Sequence, residues 1–351
     1  MTQHRRQNAD IAQQPVSARR RHAHNFYVMG RQRAEEGAWG DARTLLLKAL
    51  AFDPDLAPAL RMLAGVEFTL GNVQEAKQYL ARALTFAPAD PDALLLKGNL
   101  ALTEANPRAA LEAYHQVEAI EGDSPELTFN IGLAHLILGQ GEEAVSAFTR
   151  LVEAEPLHQR AWDALGCAYR IARNFPDAQD AFLRALEIDP SLNDARDHLA
   201  QLMLETGNPR HAQQVLVAAL SMESGRNSSR HLLGMAYAAT QEFQQAAECW
   251  EEIVADGEAQ AETYHLLANA YLHMNERLAA MRVLEVLVDH FPDHLPGHLQ
   301  LALLLLEHGH SERGWHHLER ARALDPFNPT VATAFSAARA MSPAMRDSVD
   351  S

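Results

Sequence analysis

Two cysteines in 351 residues, Cys167 and Cys249, leave no disulfide framework and fit a reducing compartment. Lysine is nearly absent, three against 27 arginines, a bias of genome composition more than of mechanism. No run of about 18 apolar residues occurs, so no membrane-spanning helix is expected. The opening stretch MTQHRRQNADIAQQPVSARRRHAHNF is basic but has no apolar core, which excludes a secretory signal. Its arginines resemble those of an organelle transit peptide, yet its poor apolar face and Asp10 argue against one. The expectation is a cytoplasmic chain whose residues 1–22 form a basic, disordered arm. Positive charge is scarce elsewhere: the formal net charge is −16, and five arginines before His22 leave the remaining body near −20. An acidic body repels nucleic acid and anionic membranes, so neither is expected as a partner. With 47% apolar and 22% charged residues the chain is globular, and length alone suggests two or three compact domains.

What the sequence does have is a repeat. Steps of 34 residues either way from Gly166 meet Gly30, Ala64, Gly98, Gly132, Ala200, Gly234, Ala268 and Ala302, all small. The same step from Ala178 meets Ala42, Ala76, Ala110, Ala144, Ala212, Ala246, Ala280 and Gly314. Pro54, Pro88, Pro156, Pro190, Pro292 and Pro326 keep the phase, and nine units run from Ala23 to Asn328. Apolar spacings of three and four predict two helices per unit, over 160–173 and 177–188 in the fifth, joined by a short turn. Asp-Pro pairs at 53–54, 189–190 and 325–326 end the second helix. A glycine inside a helix costs up to about 1 kcal/mol relative to alanine, so Gly166 reads as a helix-packing residue. Because alanine holds that place in other units, Gly166→Ala is expected to be mild or stabilising. The proline position departs at Gly122, Ser224 and Glu258, and residues 222–230 read as either a hinge or a longer turn. Residues 329–341 read as one capping helix and residues 342–351 as a polar tail.

Within Gln159–Leu192, the residues Trp162, Leu165, Gly166, Tyr169, Ala178, Phe182 and Pro190 match W-x2-L-G-x2-Y, A-x3-F and P. At a period of 34 this resembles the tetratricopeptide repeat family over about seven-eighths of the chain. The resemblance implies an all-α, right-handed superhelical solenoid of antiparallel helix pairs, with first helices lining a concave groove. By that analogy the groove takes Phe68, Leu95, Asn99, Leu102, Phe129, Asn130, Leu133, Leu136 and Ile137 from units two to four. Unit five adds Arg160, Asp163, Cys167 and Arg170, and unit six adds Asp194, Asp197, Gln201 and Glu205. His231, His265, Asn269 and His273 follow, and the ninth unit returns to Leu299, Leu303 and Leu306. The apolar stripe of units two to four is either exposed groove or packing between neighbouring helices. The family's clamp for acidic chaperone tails is matched only in part, by Asn99, Asn130 and Arg160, with Leu95 and Ala164 where it needs basic residues, so it is expected to be absent.

Catalytic motifs are missing. GQGEEA at 139–144 matches G-x-G-x-x-A, but a helix-patterned segment precedes it where a strand is required. His290, His294 and His298 are spaced like metal ligands, but Pro292 and Pro296 interrupt the helix, so they read as solvated histidines. Cys167 has no fixed His or Asp beside it and reads as a structural thiol, and the NSS sequon at 227–229 is idle in a cytoplasmic chain. Arm, repeats and cap account for every residue, so no catalytic domain, metal or cofactor is expected. The expectation is a non-enzymatic interaction scaffold or chaperone-like adaptor holding a protein or peptide segment in the groove. Bacterial secretion or cell-surface assembly is the narrower form of that reading. The alternative is a regulatory subunit of an enzyme encoded elsewhere, such as a glycosyltransferase.

Overall fold

The structure, a computed structural model, describes residues 15–223 and 225–341. Among these residues every regular element is an α-helix, nineteen in all. The chain divides into two compact units at Asp189–Pro190. The first unit pairs α1 (Val16–Glu35) with α2 (Trp39–Phe52), α3 (Ala57–Thr69) with α4 (Val73–Phe86) and α5 (Pro91–Thr103) with α6 (Pro107–Glu121). It ends with α7 (Pro125–Ile137) on α8 (Gly141–Ala154) and α9 (Gln159–Ile171) on α10 (Phe175–Ile188). The second unit pairs α11 (Asn193–Glu205) with α12 (Pro209–Met222) and α13 (Asn227–Ala239) with α14 (Phe243–Ala255). It continues with α15 (Ala261–His273) on α16 (Arg277–His290), α17 (Leu295–Glu307) on α18 (Ser311–Leu324), and α19 (Pro329–Met341), unpaired. Within each unit consecutive helices pack on one another, and first helices also touch first helices. This is an all-α solenoid of helix pairs.

Helix α1 differs from expectation. It starts at Val16, so residues 16–22, read as arm, are helical. The His22 ring rests on Phe52 of α2 at 5.3 Å, giving the extra turns an apolar surface to lie on. Residues 1–14 of the arm and the tail from Ser342 lie outside the described residues. The stretch 222–230 does not part the chain: α12 and α13 on its two sides pack together, and the division falls at Asp189–Pro190 instead.

Each hairpin turns in the same way. The residue after the first helix's cap has positive φ at Gly37, Gly71, Ala105, Gly139, Arg173, Gly207, Gln241, Asn275 and Gly309, every one on the 34-residue phase. The following amide closes the turn by donating back into the helix, as Asn72 does to Glu67 O at 2.8 Å and Asn208 to Met203 O at 2.7 Å. That pattern is the Schellman closure of a helix carboxy terminus, and it favours glycine at the left-handed position.

The small residue of each first helix faces the side chain sixteen positions later on the second helix. A Cβ at Gly98 would lie 2.2 Å from the Tyr114 ring, at Gly132 2.6 Å from Phe148, at Gly166 2.5 Å from Phe182 and at Gly234 2.7 Å from Trp250. Where the small residue is Ala64, Ala200, Ala268 or Ala302, the partner is Leu80, Leu216, Leu284 or Leu318, each pair sharing one buried cluster. In these eight repeats glycine goes with a ring and alanine with leucine; the first repeat departs, where a Cβ at Gly30 would lie 2.9 Å from Leu46. The expectation that alanine at Gly166 is mild is therefore wrong for this unit, because Phe182 is fully buried and has no room to yield.

Two stability predictions follow from these contacts. Gly166→Ala should destabilise by about 1–2 kcal/mol, overpacking outweighing the gain in helix propensity. Adding Phe182→Leu should recover most of that loss by recreating the Ala200–Leu216 pairing, a coupling readable in urea unfolding of the two single variants and the double. At the turns, Ala105→Gly and Arg173→Gly should each stabilise by about 0.5–1 kcal/mol, since both side chains now occupy the left-handed region. An unchanged or lower urea midpoint would contradict the turn argument.

Candidate functional site

In the first unit the first helices α3, α5, α7 and α9 lie side by side, each touching the next. They carry the residues of repeats two to five that were assigned to the groove from sequence. Phe68 sits on α3, Leu95, Asn99 and Leu102 on α5, Phe129, Asn130, Leu133 and Leu136 on α7, and Arg160, Asp163 and Arg170 on α9.

The apolar members are half-buried. Phe68 leans on the cluster of Leu80 and Leu100, and Leu95 and Leu102 lean on Tyr114 and Leu127. Phe129, Leu133 and Leu136 lean on the cluster of Phe148, Leu151 and Leu165. One edge of each side chain packs inward and the other remains accessible. Phe129 shows how. Its ring meets Phe148 edge-on at 5.7 Å on the inner side and stacks on the His158 imidazole at 5.7 Å. His158 is held in place because its Nδ1 accepts the Ala161 amide at 3.1 Å, capping α9. Next to this, Ile137 is exposed.

A polar seam runs beside the stripe. Tyr114 Oη donates to Asn99 Oδ1 at 2.7 Å, and Asn130 Nδ2 donates to the same oxygen at 3.3 Å. Burial pushes the Tyr114 phenol well above its ordinary value, so it stays a neutral donor. Asn99 is consequently the oriented amide of the face, fixed from α6 and from α7. On α9, Arg160 is exposed, while Asp163, Cys167 and Arg170 are half-buried.

The second unit presents different chemistry on its first helices. A cavity of about 470 Å3 opens between α11 and α13, lined by Asp194, Asp197, His198, Gln201, Arg226 and His231. Asp197 is its buried anchor: it accepts from Arg226 Nε at 3.1 Å, from Ser228 at 2.8 Å and from Ser229. Arg226 also pairs with Asp194. Burial holds the His231 and His265 imidazoles below their ordinary value, against a weaker pull from Glu262. Asn269 accepts from Gln300 Nε2 at 2.6 Å. Burial raises the Cys249 thiol to about 11, which leaves it unreactive.

Two sequence assignments change here. Leu299 and Leu306 are buried against α19 and leave the groove assignment, while Leu303 is half-buried. The trio His290, His294 and His298, read as solvated, is split between the end of α16, the cap of α17 and its interior, where His298 is buried. Within either unit alone, the described residues bring no three His, Cys, Asp or Glu ligand atoms within reach of one ion. Sequence reasoning missed the knot at Asp197. The signal was present, as an acidic residue at a groove position and an Arg-Asn-Ser-Ser run one unit later.

That knot carries a prediction. Asp197→Asn removes charge-assisted hydrogen bonds and should cost about 1.5–3 kcal/mol. Trypsin cleavage after Arg226 should then accelerate relative to cleavage after Arg184; an unchanged ratio would show that the turn is held by something else.

Models of the tetratricopeptide repeat match residues 33–100, 95–148 and 130–193. No curated protein matches the chain. Among solved structures it is similar to a tetratricopeptide repeat protein from Parabacteroides merdae, with 17% identity and a TM-score of 0.59 over 71% of this chain and 99% of that one. It is similar to PilW, a widely conserved type IV pilus biogenesis factor, at 20% identity and TM-score 0.55, over 60% and 98% of the two chains. Pseudomonas aeruginosa PilF follows at 15% identity and TM-score 0.51, over 61% and 97%. At these identities the likeness is one of fold.

Proposed function

This chain is a tetratricopeptide repeat protein, and from that premise we propose that it is a non-enzymatic scaffold that holds a segment of a protein partner on the first-helix face of its first unit. The observation that carries the reading is the row Phe68, Leu95, Leu102, Phe129, Leu133 and Leu136, half-buried on adjacent helices with the Asn99–Asn130 seam alongside. Apolar side chains that keep an accessible edge beside fixed amides suit an extended or helical segment. The apolar edges supply burial, and the amides meet the segment's own polar groups. No helix among the described residues is long and apolar enough to cross a membrane. The narrower proposal is a place in cell-surface assembly, for which the architecture shared with PilW, named as a pilus biogenesis factor, is the support.

The test uses Phe129 and Leu133, one helical turn apart near the middle of the row. A peptide selected from a display library against the full chain is titrated against wild type and Phe129→Ser plus Leu133→Ser. Anchors of this kind carry about 2 kcal/mol each, so each serine should weaken binding roughly thirtyfold and the pair should abolish it. Glu143→Gln, an exposed change on the second helix α8, should leave binding intact. The melting temperature is followed in parallel. Lost binding at an unchanged melting temperature supports the face, whereas binding that survives in a folded double variant rejects it.

A further inference from the structure

The second unit holds a pair of histidines that its packing uses in only one protonation state. His298, on α17, is buried, and its Nε2 donates to the Pro292 carbonyl at 3.0 Å. A ring protonated at Nε2 presents a lone pair at Nδ1. That Nδ1 lies 3.0 Å from Nδ1 of His317 on α18, so His317 is the donor between them. The tautomers follow from the hydrogen-bond network, with the backbone carbonyl fixing the order. In this neutral state both contacts are satisfied.

Adding protons has a limit. One proton can be shared: His298 then donates from Nδ1, and His317 accepts there after moving its own hydrogen to Nε2. A second proton places two N–H groups head to head at 3.0 Å. The folded pair therefore binds one proton at most, while the two rings apart bind two.

The surroundings do not compensate. From α18, Arg313, His316 and Arg320 face the pair; from the turn before α17, Asp293 and His294; from α16, Glu285. The two carboxylates are already engaged, Asp293 by Arg320 at 2.9 Å and Glu285 by Arg313 at 2.7 Å. His294 adds to the demand for neutrality, because its Nδ1 accepts the Gly297 amide at 3.0 Å and its ring meets His265 of α15 at 5.5 Å. Burial and the neighbouring histidines hold His317 down to about 4, and burial lowers His298 and His294 as well. The α17–α18 pair that the two rings join is also the support of α19, through Leu299, Leu306, Trp315, Leu318 and Val331.

We propose that His298 and His317 are an acid-sensitive latch: at neutral pH their shared hydrogen bond holds α17 to α18, and on acidification the second proton opens this last hairpin and frees α19. The sign follows from proton counting. The opened state binds more protons, so the closed state is fully stable above the ordinary histidine value near 6.5 and loses stability as pH falls below it. One excluded proton over the 1.5 units from about 6.5 to 5.0 raises the opening constant about thirtyfold.

Hydrogen exchange of the full chain, corrected for intrinsic rates, tests this at pH 7.5 and 5.0. Peptides within 295–338 should show opening about thirtyfold greater at pH 5.0, while peptides within 57–137 change less than about threefold. His298→Asn plus His317→Gln keeps polar contact without titration, and in it the 295–338 peptides should lose their acid response. Unchanged protection of 295–338 at pH 5.0 in wild type overturns the latch, and so does an acid response that persists in the double variant. If the double variant is already open at pH 7.5, NMR titration of the wild-type rings decides: both titrating independently near 6.5 overturns the proposal, and one ring held neutral to pH 5 supports it. Zinc chloride added at pH 7.5 is the last arm. Strong zinc protection of 295–338 that the double variant abolishes would make the pair metal ligands and overturn the latch; no zinc effect accords with it.

Discussion

The close approach of the two helices in each hairpin governs the rest of the structure. Its key contact joins the small residue of the first helix to the side chain sixteen positions later. Volume is shared across that contact, not assigned to one side. Glycine at 98, 132, 166 and 234 makes room for Tyr114, Phe148, Phe182 and Trp250, and alanine at 64, 200, 268 and 302 meets leucine. Cores of near-crystalline density tolerate exchange of volume between partners far better than a change in its sum. In eight of the chain's nine repeats the two positions therefore vary as a pair, and a residue's tolerance cannot be transferred between repeats without its partner.

A second constraint, the left-handed turn, fixes how far each second helix folds back on its first. Nine turns adopt it, and in Ala105, Arg173, Gln241 and Asn275 the chain accepts an L side chain where glycine fits best. The same closure recurs in each hairpin, and consecutive hairpins stack on one another within each compact unit. Stability then accumulates from neighbour contacts, as in other one-dimensional arrays. The positions spent on turn, helix contact and stacking leave one variable surface, the outward part of the first helices.

Much of this was legible in the sequence because the repeat samples the same physics nine times. The 34-residue phase located helices, turns and the small residues, and the helix over 329–341 falls at the same residues as α19. The Gly166–Phe182 dependence was equally available by pairing positions sixteen apart, but reading single columns hid it. Other features needed three dimensions. The start of α1 at Val16 depends on a His22–Phe52 contact between residues thirty apart, with no periodic signal in the arm. Leu299 and Leu306 read as groove by position and are covered because α19 occupies the place of a next first helix. The His298–His317 contact joins residues that fall on no shared repeat position.

The two units turn the same backbone into surfaces of different chemistry. On the first, apolar edges and a fixed amide seam suit contacts whose strength comes from burial, which salt and pH leave nearly untouched. On the second, Asp197, Arg226 and half-buried histidines that burial holds below their ordinary value suit contacts that depend on charge state. Histidine in such places costs little at neutral pH and withdraws its support as protons arrive. A chain built from equal repeats thereby carries unequal chemistry without departing from the repeat's backbone, by substitution on its first helices and, at His298 and His317, within a hairpin contact.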